Sequence, residues 1–363
     1  MIHDELEFHN VAELNEVEGH EGLRLQRMPE HLRTQLDEGT ASVMCSPADC
    51  EIRFRILDGH DRVTFRLSSE SETTIYVYHG PFQGNSFVVD KEVREFTIEP
   101  HKRVPQLADL NLPPLAFDPD LVRICFGGPY PEPLFYHGHD GGVAPPRPGD
   151  TPDKTYLAYG SSITHGTGLS GAAISYPAHV AWRLGMDLKN FGTSGCCLCQ
   201  KVVADFLADQ SCDLATLELS VNMLGGSFDG GEFRERVSYL VKRFADADPD
   251  RPVLGITIFP HFRDLDDRFC GDDDKATAAE FRQILRDVVA ELDRPNLSLI
   301  EGPELLGRID GLSHDLIHPG IRGMVEIGEA LTRRIRERSF PGIPSGPGNH
   351  PPKTSPPSAD PGS

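Results

Sequence analysis

A chain of 363 residues with 38% hydrophobic and 25% charged residues has the composition of a globular protein and the length for two sizeable cores. Its 56 Asp and Glu against 35 Lys and Arg leave a formal charge of −21, which argues against a surface built for nucleic-acid phosphates or anionic lipid. No apolar run is long enough to span a bilayer, and residues 1–18 are acidic without the apolar stretch of a signal peptide, so a cytoplasmic protein is expected.

The eight cysteines show no paired spacing of a disulfide framework. Cys196, Cys197 and Cys199 crowd together without a second cluster to complete a zinc site, so all eight are read as reduced thiols.

Residues 1–20 are polar and read as a loosely docked arm. Residues 21–145 read as β structure. Short segments alternate apolar and polar residues at 41–45, 52–56, 63–67, 74–78, 86–89, 95–98 and 122–126, and turn residues such as Asp58-Gly59 and Gly80-Pro81 part them. With no helix-period stretch among them, these segments predict a β-sandwich or jelly roll. Residues 138–153 are rich in Gly and Pro and mark a boundary between two separately folding domains. His137, His139 and Asp140 are read as polar linker rather than metal ligands, for want of a third fixed ligand.

Residues 154–340 alternate strands with helices. Strands are predicted at 155–159, 188–191, 214–219, 253–259 and 297–300, and helices at 176–184, 200–209, 231–247, 275–292 and 321–338. Five β/α units in this order predict a parallel sheet in a three-layer α/β fold. The tail, 341–363, is Pro, Gly and Ser with hardly an apolar residue, and is expected to be disordered.

Four segments fall at the carboxyl ends of predicted strands or on loops beside them, where open α/β sheets bind ligands. Gly160-Ser161-Ser162-Ile163 follows the first strand, and a serine there is a candidate nucleophile. His318 is the candidate base for Ser162, and Asp315, three residues earlier, can set its tautomer and stabilise the imidazolium. The backbone N–H groups of Ser162 and Gly195 and the side-chain amide of Asn222 are candidate donors to an oxyanion.

These four segments resemble the sequence blocks of the SGNH (GDSL-type) hydrolase superfamily, in the family's order and spacing, over residues 154–338. The resemblance implies a flavodoxin-like α/β/α fold, ester chemistry, no cofactor and no metal. In architecture the β-rich first half also looks like the front domain of two-domain SGNH carbohydrate esterases and of acyltransferases from secondary metabolism. Ser161 stands where the family usually has an acidic residue, and Ser220-Val221-Asn222-Met223 stands where Gly-x-Asn-Asp is common.

Gly166-Thr167-Gly168-Leu169-Ser170-Gly171 matches a dinucleotide-binding pattern, but its first glycine comes too late after the strand and the next strand lacks a ribose-binding acid. No G-x-S-x-G elbow, Walker loop or H-E-x-x-H occurs. His165 and His261 are read as structural or surface histidines, Trp182 as core, and Asp272-Asp273-Asp274 as a solvated loop at a helix start.

The expectation is therefore a serine esterase acting on O-acyl esters of a small or glycosylated substrate. The alternative is an acyltransferase moving an acyl group to an alcohol of a natural product or sugar by the same chemistry. A third class, a carbohydrate-binding protein without activity, is disfavoured by the intact Ser, His, Asp and Asn set. The expected partners are an acyl ester, or an acyl donor and an alcohol acceptor. The sequence gives no reading of the oligomeric state.

Overall fold

The computed structural model describes residues 1–104, 106–107, 115–126, 132–168, 174–224, 228–271 and 274–343. In the first half, one antiparallel sheet runs β1 (Ile2–His3), β2 (Leu6–His9), β5 (Glu51–Ile56), β10 (Val122–Phe126), β7 (Thr73–His79) and β8 (Phe82–Val89), with β12 (Val143–Ala144) also on β5. A second runs β3 (Glu13–Glu16), β4 (Leu23–Gln26), β11 (Leu134–Asp140), β6 (Val63–Ser69) and β9 (Arg94–Ile98). Alternate side chains of both sheets close on one core, as a β-sandwich requires. Phe54 of β5 meets Phe65 of β6 at 5.1 Å between ring centroids, and Phe8 of β2 meets Tyr136 of β11 at 5.2 Å.

Three expectations fail in this half. Residues 1–20 are not a loose arm. They supply β1, β2 and β3, and Leu6 and Phe8 are fully buried. Two apolar residues alternating with Glu and His gave too short a pattern to read as a strand. Residues 41–45 are not a strand but belong mostly to α2 (Glu38–Val43), preceded by α1 (Glu30–Arg33). Asp37 caps α2, its carboxylate accepting the Thr40 N–H at 3.1 Å, and this local bond outweighs a short apolar run. His137, His139 and Asp140 lie not in a linker but on β11, His137 within a bulge and the other two beyond it. His137 Nε2 is 2.8 Å from Ser68 Oγ and His139 Nδ1 is 2.8 Å from Tyr136 Oη.

In the second half, β13 (Thr155–Gly160), β14 (Asp187–Gly192), β15 (Leu214–Leu219), β16 (Val253–Thr257) and β17 (Leu297–Ile300) form a parallel sheet in the order β14-β13-β15-β16-β17. The helices are α3 (Ser162–His165), α4 (Tyr176–Leu184), α5 (Lys201–Ala208), α6 (Gly230–Ala247), α7 (Ala278–Leu292), α8 (Gly302–Leu305) and α9 (Ile321–Arg338). α5, α6 and α7 pack on the face that presents Leu157 and Tyr159. α4, α8 and α9 pack on the face that presents Tyr156 and Ala158. This is the flavodoxin-like three-layer α/β/α arrangement, with its strand order reversing between β13 and β15, where such sheets open a crevice. Trp182 is not core: α4 buries Tyr176, Val180, Ala181 and Leu184, and the indole is 60% exposed on the flank of that stripe. Asp272, Asp273 and residues 344–363 of the tail lie outside the described residues, while Asp274 is 3.4 Å from Arg263.

β14 is an edge strand, and the first half closes its edge. His9 Nε2 lies 2.6 Å from the Leu188 carbonyl, Asn10 donates to Asn190 O at 2.9 Å, and Arg27 donates to Asn190 O at 3.0 Å and Gly192 O at 2.9 Å. Arg53 of β5, 1% exposed at its side chain, forks onto Asp187 at 2.6 and 2.8 Å and reaches Glu51 at 2.6 Å. Met28 and Met44 belong to the same apolar cluster as the α5–α7 face. The halves share core residues and buried charge.

A fragment of residues 152–343 is therefore expected to aggregate rather than fold, since it exposes the β14 edge. Arg53→Met in the full chain, which leaves Asp187 and Glu51 short of a buried partner, should cost about 3–5 kcal/mol, read as a drop in the single unfolding transition. A folded, monomeric fragment would contradict this.

Candidate active site

Ser162 opens α3, the single turn that leaves the carboxyl end of β13. Ser161 caps that turn, its Oγ accepting the Ile163 N–H at 3.2 Å. The turn presents Ser162 Oγ 2.7 Å from His318 Nε2, and His318 Nδ1 lies 2.7 Å from Asp315 Oδ2. The second oxygen of Asp315 accepts from Ser313 Oγ at 2.8 Å and from the backbone N–H groups of Ile317 and His318, both at 2.9 Å. Partial burial alone would raise the Asp315 pKa. The His318 imidazole, the two backbone donors and Ser313 outweigh it and hold the carboxyl well below the usual carboxylate range. An ionised Asp315 can only accept, so Nδ1 of His318 carries its proton and Nε2 offers a lone pair to the Ser162 hydroxyl.

The loop that carries Asp315 and His318 is braced at both ends. Leu312 bridges Pro319, and Ser313 N–H donates to His318 O at 2.7 Å. Between them Leu316 sits at φ 57°, a left-handed conformation that costs a non-glycine residue of order 1 kcal/mol. Its carbonyl accepts the Phe262 N–H at 2.8 Å, which ties the loop to the segment after β16.

Gly195 lies on the loop after β14, at φ 71° and exposed. That loop is latched to β13, because Thr193 donates to Gly160 O through its N–H at 2.8 Å and its hydroxyl at 3.1 Å. Asn222 lies in the 3-10 turn after β15. Its Oδ1 accepts the Cys197 N–H at 3.1 Å, which fixes the amide with its nitrogen side unused among the described residues. Ser162, Gly195 and Asn222 thus follow β13, β14 and β15, the three strands around the switch point.

Sequence reasoning missed the buttress beneath the serine. His165, buried on α3, donates from Nδ1 to Gly192 O at 3.0 Å and accepts at Nε2 from Ser46 Oγ at 3.1 Å. The Arg27 guanidinium, fully buried, binds Val43 O and Ser46 O at 2.8 and 2.7 Å besides its two β14 carbonyls. Asn190 donates to Thr164 O at 2.8 Å and to Asp49 at 2.7 Å. The first half therefore reaches the turn that carries Ser162 directly. The available signal was an arginine and a serine set in apolar surroundings at 25–28 and 43–46. Among the described residues no three His, Cys, Asp or Glu side chains gather as a metal site, and the three clustered cysteines are free thiols. Gly166 and Gly168 follow α3, while Leu169, Ser170 and Gly171 lie outside the described residues. His261, 3% exposed, caps a 3-10 turn through Nδ1.

Burial, and then the nearby Arg27, push the His165 pKa down to about 3 from 6.5. A histidine depressed in the fold binds fewer protons than the unfolded chain, so its stabilisation is whole above pH 6.5 and is lost as pH falls toward 3. His165→Gln should flatten the acid-side fall in Tm relative to the native chain over that window. Parallel Tm curves would contradict the neutral, buried assignment.

Residues 153–336 match the profile of the GDSL-like Lipase/Acylhydrolase family. No curated protein matches the chain significantly by sequence. Among solved structures, the chain is similar to a salicylyl-acyltransferase from a tetracycline biosynthetic pathway, with a TM-score of 0.73 and 16% identity over 94% of this chain and 96% of that one. It is similar to an acetyl xylan esterase from the rumen bacterium Butyrivibrio proteoclasticus, with a TM-score of 0.57 and 10% identity over 93% and 96%. It is also similar to a family two carbohydrate esterase from Clostridium thermocellum in complex with cellohexaose, with a TM-score of 0.56 and 15% identity over 81% and 93%. At these identities the likenesses establish the shared fold.

Proposed function

The chain belongs to the GDSL-like lipase/acylhydrolase family and is an enzyme of ester hydrolysis or acyl transfer; on that premise we propose that it is a serine esterase acting on O-acyl esters of a small or glycosylated substrate. The observation that carries this reading is the run of short contacts from Ser162 Oγ through His318 to Asp315. His318 Nε2 takes the serine proton as Oγ attacks the acyl carbon, and ionised Asp315 stabilises the imidazolium that results. The negative oxygen of the tetrahedral intermediate is held by the N–H groups of Ser162 and Gly195 and by the amide of Asn222. Collapse expels the alcohol, which takes the proton from His318 and leaves an acyl-enzyme. Water, activated by the same histidine, completes hydrolysis.

The second reading is acyl transfer, in which an acceptor alcohol takes the place of water in the last step. It is favoured by the likeness, across nearly the whole of both chains, to a salicylyl-acyltransferase. The esterase reading has similar support from the likeness to a carbohydrate esterase and an acetyl xylan esterase. Eight unpaired cysteines suit work in a reducing compartment, which supports a cytoplasmic location. No helix among the described residues is long and apolar enough to cross a membrane.

Ser162→Ala should abolish turnover of an activated aryl ester with the fold intact, and Asn222→Ala should lower kcat on the order of 100-fold with a smaller change in KM. Asp315→Asn should depress the rate even at high pH, because a neutral amide can hold the wrong tautomer. Turnover should persist in EDTA. With a candidate alcohol present, a transferase forms the new ester faster than it releases free acid, and an esterase does not. Normal turnover by Ser162→Ala would sink both readings.

A further inference from the structure

Directly beneath the nucleophile turn lies a carboxylate that the mechanism above does not use. Glu218 is the fifth residue of β15 and is 0% exposed. Its Oε2 accepts from the Ser161 N–H at 2.7 Å, from the Ser161 hydroxyl at 2.6 Å and from the Thr164 hydroxyl at 3.2 Å. Its Oε1 is buried without a hydrogen-bond partner among the described residues. One oxygen thus gathers donors from either side of Ser162. Ser161 Oγ, held this way, keeps a lone pair on the Ile163 N–H, and Thr164 Oγ1 is also 2.8 Å from Tyr176 Oη. Gly160 makes room for the arrangement, since a Cβ there would stand 2.6 Å from Glu218 Oε2 and 2.2 Å from Thr164 Oγ1.

From this geometry we infer that Glu218 is a positioning residue for the Ser162 nucleophile, acting through Ser161 and Thr164. It grips the residues before and after Ser162, so it sets the direction of the Ser162 hydroxyl toward His318 and of the Ser162 N–H toward the reacting carbonyl. Burying a carboxylate in a strand whose six side chains are all buried costs stability. The inference rests on the serine reading of the preceding section.

The groups that face Glu218 leave its charge uncompensated. Tyr176 comes from α4 and Cys199 from the loop after β14, and burial of the first, and for the second a hydrogen bond to Cys197 followed by burial, push both pKa values up, so both stay protonated. Cys197 donates to the Glu218 backbone carbonyl at 3.7 Å. Among the described residues no Arg, Lys or His forms an ion pair with it. Burial accordingly raises the carboxyl to about 7, with the Ser161 and Thr164 hydrogen bonds opposing part of the rise. The carboxylate form is the stronger acceptor for three converging donors. Catalysis then requires both a neutral His318 and an ionised Glu218 on the acid side.

The test uses the full chain, an aryl acetate over pH 5–9, and titration of the reactive serine with a fluorophosphonate so that rates are expressed per competent site. Glu218→Gln is expected to lower kcat roughly 10–100-fold with KM little changed, the effect of a misplaced reacting group. The native acid limb should be steeper, with two protons taken up, and Glu218→Gln should show one. Ser161→Ala, which removes the intervening hydroxyl, should shift the profile in the same direction and serves if Glu218→Gln does not fold. The carboxyl is also raised in the fold above its unfolded value of 4.5, so the folded state gives up stability as pH rises from 4.5 through about 7. The Tm of Glu218→Gln relative to the native chain should therefore climb across that interval. A variant that loses Tm but keeps native kcat per labelled serine and a native pH profile would show a merely structural glutamate and overturn the inference. Ser162→Ala run alongside separates the two readings, because turnover in that variant would overturn the serine mechanism itself.

Discussion

The outer edge of β14 offers the carbonyls of Leu188, Asn190 and Gly192, and side chains answer them: His9, Asn10 and Arg27. An unpaired edge invites association with another chain. Here the β-sandwich closes it, and the closure does more than protect. Arg27 also holds the turn at 43–46 through Val43 O and Ser46 O, and Ser46 in turn meets His165, three residues past the serine. The guanidinium is fully buried, so each of its bonds replaces hydration that it has lost. The sandwich, the edge strand and the turn that carries Ser162 are thus joined by one set of buried hydrogen bonds.

The site is assembled on that rigid base from groups with opposite electrostatic settings. Asp315 is partly open to solvent and held ionised by four hydrogen bonds, so its charge is available to His318. Glu218 is sealed and uncompensated, so its charge is costly and easily lost. His165 is sealed beside a guanidinium and stays neutral. Two carboxylates and one imidazole around the Ser162 turn are driven to different protonation behaviour by burial and by the donors around them, and pattern alone cannot assign those states.

Much of the second half was legible from residues. Long periodic helices such as α4 and α9 and the apolar run of β15 fall at the residues expected, because their patterns are long and their caps local. The segments carrying Ser162, Gly195 and Asn222 could be placed at or beside the carboxyl ends of predicted strands, and Asp315 and His318 on the loop before the last predicted helix. The first half was harder to read. A four-residue strand such as β2 gives only two apolar positions, and α2 hid in an apolar run that Asp37 turned into a helix. What could not be read was tertiary: Arg27 reaching β14, Arg53 reaching Asp187, Glu218 reaching Ser161. Each joins residues far apart in sequence through a buried charged side chain. A charged residue in a strand that otherwise reads as core is the signal that a partner waits elsewhere in the chain.

The most direct measurement is to trap the nucleophile. The native chain is reacted with an aryl fluorophosphonate at neutral pH, digested, and the modified peptide sequenced by mass spectrometry. The account predicts one adduct per chain on Ser162, and slow labelling in His318→Ala. An adduct on Ser161, or native turnover in a chain that takes up no label, would contradict it.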